Sequence, residues 1–238
     1  MDLGIDTIMT GIVWYVAFLF STVCHEAAHA WTALKLGDPT AYEGGQVSLN
    51  PAPHLRQAPI GLIAVPVVTY ALNGWMMGWA SAPYDLYWSI RHPRRSALMS
   101  LAGPAANLII ILVCAGIIHL GISLGFFLQP DQITFTHVVQ SANEGLARGA
   151  GFVISVFFSL NVILFVFNLI PLPPLDGSGA LPLFISDRTV TRCQELMIQP
   201  QAQVIGLLAA WFLFSRCFEP IHTFSLNVLY PGSNYAPI

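Results

Sequence analysis

The side chains best suited to chemistry are concentrated in one short run, Cys24-His25-Glu26-Ala27-Ala28-His29, at the end of an apolar stretch. On a helix turning about 100° per residue, His25 and His29 lie about 40° apart on one face and one turn apart, where two imidazoles can grip a single ion. Glu26 sits about 100° round from His25 and borders that ion instead of ligating it. This is the His-Glu-x-x-His arrangement, in which two imidazoles hold zinc and the carboxylate takes a proton from water. With seven His and five Glu among 238 residues, chance supplies the pattern only about 0.004 times per chain. The competing reading, a helix end carrying unrelated polar residues, is correspondingly poor.

Catalytic zinc takes three protein ligands and keeps one position for water, so the pair needs a third donor. Asp176 is the best candidate. Of the seven aspartates, it alone follows directly on an apolar span, one broken by Pro171, Pro173 and Pro174. A carboxylate at a membrane edge is costly unless paired or bound to metal. Its competing role is a turn residue before Gly177. Cys24, Cys114, Cys193 and Cys217 are scattered, with no Cys-x-x-Cys, and read as reduced packing residues.

The elements that must position these groups are membrane helices. Only 9% of residues are charged and 55% are hydrophobic, with a mean hydropathy of +0.65, whereas soluble domains carry roughly 25% charge. The net charge of −3 offers no basic patch for nucleic acid. We expect an all-α polytopic membrane protein. It would be a single integral domain over residues 1–238, with a catalytic core over 5–180 and an accessory C-terminal helix over 202–218.

Residues 5–31 have the length of a spanning helix carrying the His pair near its end. Asp2 and Asp6 stand where a signal peptide would be basic, so this helix is expected to be a retained anchor. Gly37-Asp38-Pro39 stops it, and residues 41–50 read as a short hairpin or extended edge. Residues 59–80 are long enough to cross, but Pro66 and Asn73-Gly74 suit a re-entrant hairpin better than a straight helix. Residues 96–122 and 152–170 are further spans, the first containing Gly103-Pro104-Ala105-Ala106-Asn107. Its small residues allow close helix approach, and Asn107 is a buried-depth amide in need of a partner. Residues 129–149 read as a polar connection, the segment with Asp187, Arg188, Arg192 and Glu195 as a solvated loop, and the tail from Glu219 as uninformative. The expectation is thus about four spanning helices plus the 59–80 segment.

On these residues the chain resembles the site-2 protease family of intramembrane zinc metalloproteases, in particular small bacterial members without PDZ or CBS domains. The resemblance rests on His25-Glu26-Ala27-Ala28-His29, on Asn168-x-x-Pro171-x-x-Pro174-Leu175-Asp176-Gly177 and on Gly103-Pro104-Ala105-Ala106-Asn107. Weaker similarity lies in Ser48-Leu49-Asn50-Pro51 and Gly78-Trp79-Ala80. It implies that His25, His29 and Asp176 ligate one Zn²⁺ per chain, that Glu26 is the catalytic acid and base, and that Asn168 lies by the site as an oxyanion donor. Small bacterial members carry an acidic residue shortly after a His where this chain has His54-Leu55-Arg56-Gln57, and a Lys where it has Ser81. Both departures bear on substrate handling.

The expected function is hydrolysis of peptide bonds in or near transmembrane segments, so the partners are membrane-spanning protein or peptide substrates and the lipid bilayer. The alternative is an intramembrane metal-binding or zinc transport protein, which has no need of a non-ligating Glu26. If 59–80 is re-entrant, Lys35, Arg56, Arg91, Arg94, Arg95, Arg188 and Arg192 share one side, opposite Arg148 and Arg216. The positive-inside rule then puts the active site near the cytoplasmic face of a bacterial plasma membrane. His54, His92, His119, His137 and His222 lack partner spacing and read as loop or interfacial residues, His54 being nearest the motif helix.

Overall fold

The computed structural model describes residues 5–233, 235 and 236. Asp2 lies outside them, as do the side chains of Asp6, Asp187, Arg188 and Arg192. Helix α1 (Ile5–Leu36) passes through the His pair and ends where Gly37 takes a left-handed backbone (φ 106°), a conformation glycine adopts without a Cβ penalty. Among the described residues, four helices are long and apolar enough to cross a membrane. They are α1, α6 (Pro93–Ser123), α7 (Leu146–Asn168) and α10 (Pro200–Leu229). Prolines open α6 and α10, where the missing N–H costs nothing. The outer side chains of α6, among them Ile109, Leu112 and Val113, are apolar and exposed.

Between α1 and α6 the chain makes an excursion that leaves Asp38 and returns to it. It runs through α2 (Thr40–Glu43), α3 (Pro51–Gln57), a π-helical turn (Ile60–Ala64) and α4 (Val65–Asn73), then comes back extended to α5 (Leu86–Arg91). The axis bends by 111° between α3 and Ile60–Asn73. Gly74 (φ 75°) reverses the chain. The returning strand lies against the helix it has just left: Met77 N–H donates to Thr69 Oγ1 at 3.0 Å and Trp79 N–H to the Gly61 carbonyl at 3.2 Å. A Cβ at Gly78 would run into that same carbonyl, so the close approach requires glycine there. Finally Asp85 N–H donates to Asp38 Oδ2 at 2.9 Å, closing the excursion at its origin. The excursion is a hairpin that ends where it began. Its reversal falls at Asn73-Gly74, while Pro66 sits in the first turn of α4, where proline is tolerated.

Helices α1, α6 and α7 form the centre. Trp14, Ala17 and Phe18 of α1 pack with Val156 and Leu160 of α7 and with Leu62 and Met76 of the hairpin. After α7, Asp176 opens the short α8 (Asp176–Ala180), followed by a 3-10 turn (Leu181–Leu183) and α9 (Asp187–Met197). Ala210 and Phe214 of α10 cover Ile170 and Leu175.

Three sequence expectations need correcting. Residues 41–50 contain no strand: Thr40–Glu43 is helical, and the stretch then turns into α3. Side chains decide this, because Asp38 Oδ1 accepts from Thr40 N and Oγ1, and Asn50 Oδ1 caps α3 by accepting from Ala52 N at 3.0 Å. The small sheet pairs β1 (Phe127–Leu128), just before the connection read as polar, antiparallel with β2 (Gln140–Ser141) inside it. The expected loop around Glu195 is the helix α9, and α10 runs on through Pro220 to Leu229.

Candidate metal centre

The site begins with how closely α6 approaches α1. Gly103 faces both imidazoles, and a Cβ there would run into the Nε2 atoms of His25 and His29. One turn on, Asn107 is fully buried and accepts from His25 Nδ1 at 2.6 Å. Its amide nitrogen donates to Asn161 Oδ1 on α7 at 2.8 Å. Asn161 in turn donates to Ser21 Oγ at 2.9 Å and to the Phe157 carbonyl at 2.8 Å. A polar chain thus ties the three central helices together and ends on a ring nitrogen. His29 Nδ1 is held by the Met99 carbonyl at 2.7 Å.

These partners fix the tautomers. A carbonyl only accepts, so His29 carries its proton on Nδ1; Asn107 spends its nitrogen on Asn161, so its oxygen accepts from His25 Nδ1. With the rings neutral, as metal ligands must be, both Nε2 atoms present lone pairs, 3.0 Å apart. Asp176 adds its own, with Oδ2 2.9 Å from His25 Nε2 and Oδ1 3.3 Å from His29 Nε2. Asp176 Oδ2 is buried without a hydrogen-bond partner. Electron pairs pressed together this way repel unless a cation stands among them. The three ligand atoms lie within 4.8 Å of one another, a spacing that bonds of about 2.0–2.2 Å to one zinc can satisfy. The donor set fits a metal.

Asp176 reaches the pair because the prolines end α7 and convert residues 169–175 into turns, with Leu172 N–H on the Ile170 carbonyl at 2.8 Å and Leu175 N–H on the Leu172 carbonyl at 3.0 Å. Glycines let this loop nest: a Cβ at Gly177 would meet the Leu169 and Ile170 carbonyls, and one at Gly206 of α10 the Pro173 carbonyl.

Glu26 is buried and opens, together with His29 and Asp176, onto a cavity of about 540 Å³. One wall is the returning strand, through Ala80, Ser81, Ala82 and Tyr84, and the other is residues 173–176 with Ser178 and Gly179. The structure thus gathers His25, Glu26, His29 and Asp176. Asn168 stands apart: half-buried at the end of α7, it donates Nδ2 to the Leu164 carbonyl at 2.9 Å and does not line the cavity. His54 is buried and does not join the His25, His29 and Asp176 cluster, its Nε2 donating to the Ser48 carbonyl at 3.0 Å. All four cysteines are free. Sequence reasoning missed Asn161 and the Met99 carbonyl. An amide in the middle of an apolar span was the available signal for the first, whereas a backbone carbonyl leaves none.

Four helices long and apolar enough to cross a membrane, with a His2Asp cluster that could hold a metal ion beside a buried glutamate, define a polytopic α-helical membrane protein with a candidate metal site. The chain belongs to Peptidase family M50, which it matches over residues 13–213. It is 34% identical over 163 residues to the Bacillus subtilis (strain 168) protein named "Putative zinc metalloprotease YwhC", covering 68% of this chain and 64% of that one. With the Rip2 protein of Mycolicibacterium smegmatis, which bears the same zinc metalloprotease description, it shares 31% identity over 178 residues, 75% of this chain and 59% of the relative. With Rip2 of Mycobacterium tuberculosis the identity is 30% over 164 residues, 69% and 54% respectively. The chain therefore spans less than two thirds of the length of these relatives. No solved structure matches it.

Proposed function

We propose that this protein is a zinc metalloendopeptidase that hydrolyses peptide bonds in or near the transmembrane segments of membrane proteins. The observation that carries the reading is the convergence of both Nε2 atoms and Asp176 beside Glu26, at the edge of a cavity large enough to admit a stretch of extended chain. Zinc held by His25, His29 and Asp176 would supply the Lewis acidity that makes water acidic at neutral pH and polarises a scissile carbonyl. Glu26 accepts the proton of the attacking water and delivers it to the departing amide nitrogen. Asn107 and the Met99 carbonyl hold the imidazoles as neutral Nδ1–H tautomers, so that each ring offers its Nε2 inward. For Asn168 to donate to the oxyanion, its second amide hydrogen must turn toward the cavity.

A helical substrate hides its scissile carbonyl behind its own hydrogen bonds and must unwind to enter. Lys35 lies in the last turn of α1 and Arg94 and Arg95 in the first turn of α6, the helix ends nearest the site, with Arg91 in the last turn of α5 just before; by the positive-inside rule this charge supports a metal centre near the cytoplasmic face of a bacterial plasma membrane. Purified protein loaded with zinc should cleave a membrane-spanning peptide in detergent or bilayers, and chelation should abolish cleavage. If zinc crosses sealed vesicles and no peptide is cut, transport is the function instead.

A further inference from the structure

Neither Asp38 nor Gln46 lines the cavity, yet both hold the strand that does. Asp38 is 1% exposed, a carboxylate buried at the end of the helix that carries His25 and His29. Its two oxygens do different work. Oδ1 accepts from Thr40 N at 3.0 Å and from Thr40 Oγ1 at 2.6 Å, fixing the local turn. Oδ2 accepts from Asp85 N at 2.9 Å, 47 residues away. Asp85 is itself the N-cap of α5, its Oδ1 accepting from Tyr87 N at 2.8 Å. Gln46, 2% exposed, reaches from the same loop and donates Nε2 to the Ser81 carbonyl at 3.4 Å. The returning strand is thus pinned at residues 81 and 85 from the α1 side, and Ala80, Ser81, Ala82 and Tyr84, between and beside these points, line the cavity with Glu26 and His29.

We propose that Asp38 and Gln46 are positioning residues, a two-point clamp that sets the returning strand as the substrate-facing wall at a fixed distance from the metal helix. The physical reason is economy of reference: the wall is anchored to the element that carries the ligands, so its distance from them does not depend on lipid packing around the hairpin. A buried charged acceptor strengthens a hydrogen bond, and its loss is felt more than that of a surface contact. A residue acting through the wall alters how substrate is held more than how the bond is broken, so its loss raises KM while kcat changes little.

This inference rests on the endopeptidase reading for its kinetic arm only. In full-length protein lacking the native cysteines and carrying Ser81→Cys, Asp38→Asn keeps an oxygen for Thr40 but turns a donor toward Asp85, and Gln46→Met keeps volume but removes the donor. Both variants should retain one zinc per chain while labelling of Cys at position 81 by a water-soluble maleimide accelerates several-fold. In protein retaining Ser81, each should raise KM roughly tenfold with kcat within about twofold, and Gln46→Lys, which restores a donor, should return KM toward wild type. Unchanged labelling in both variants overturns the clamp, as does loss of zinc from Asp38→Asn, which would make Asp38 a support of the metal helix. If the wild type cleaves nothing, the labelling arm decides alone.

Discussion

His25 Nδ1 and Asn107 Oδ1 lie 2.6 Å apart, and through Asn107 the ligand on α1 is wired to Asn161 on α7. Replacing Asn107 by Ala removes the acceptor that fixes the His25 tautomer and leaves Asn161 Oδ1 without its donor. Loss of such a partner typically costs 10–100-fold in metal affinity. Competition against a zinc chelator should show a decrease of about that size in Asn107→Ala, with the helical signal unchanged. Wild-type affinity would mean the bond merely packs the helices.

Gly103→Ala probes the same centre sterically. The added methyl falls where both Nε2 atoms sit, so either α6 retreats from α1 or the imidazoles turn away. Overpacking of this kind costs about 1–3 kcal/mol, and the metal should be lost before the fold is. Full zinc occupancy in Gly103→Ala would show that the imidazoles have room to shift, contrary to expectation.

The ligand and the base should separate cleanly. Asp176→Ala leaves two imidazoles with incomplete coordination and should bind zinc far more weakly. Glu26→Gln preserves shape and metal but cannot accept a proton, and general-base loss lowers turnover by about 10²–10⁴-fold. Zinc content by elemental analysis and cleavage of a spanning peptide are the two readouts. A Glu26→Gln variant turning over normally would falsify its assigned role.

Why the metal pair was legible and its surroundings were not follows from the range of the signals. His25 and His29 are four residues apart, and helical geometry alone puts them together. Asp176 was legible because three prolines mark where α7 must break. Asn107 announced a need for a partner, but whether that partner is His25, Asn161 or another group depends on which faces of α1, α6 and α7 meet, and spacing within one helix does not encode that. The closure of the excursion on Asp38 is a contact 47 residues long between a side chain and a backbone N–H, invisible to any local pattern. The misreading of 41–50 has the opposite cause: the extended backbone expected there yielded to short-range bonds from Asp38 and Asn50, which compete with it.

Asn168 tests how far the family resemblance reaches. One amide hydrogen is committed to the Leu164 carbonyl, so an oxyanion role requires the other to face the cavity during reaction. An oxyanion donor is worth about 10²–10³ in kcat. Asn168→Ala should lower kcat by that order with KM nearly unchanged. A loss confined to thermal stability returns Asn168 to helix capping at the end of α7.

The hairpin itself makes the last prediction. If residues 59–80 crossed the membrane, α5 would emerge opposite the end of α1, yet Asp85 N–H lies on Asp38 Oδ2 and Trp79 N–H on the Gly61 carbonyl. Two hydrogen bonds that bring the chain back to its own starting point favour entry and exit on one side, and irregular backbone at membrane depth is tolerated where protein or a water-filled cavity covers it. The probes should flank the excursion at exposed positions. Gln57 at the end of α3 qualifies, and on α5 Tyr87, 75% exposed, serves better than the buried Ser89. Single cysteines at 57 and 87, in a background lacking the native four, should react with an impermeant maleimide from the same side of sealed vesicles, and a cysteine at the exposed Leu146 that opens α7 should react only from the other. Labelling of 57 and 87 from opposite sides would make the segment a fifth span and separate the two halves of the metal site.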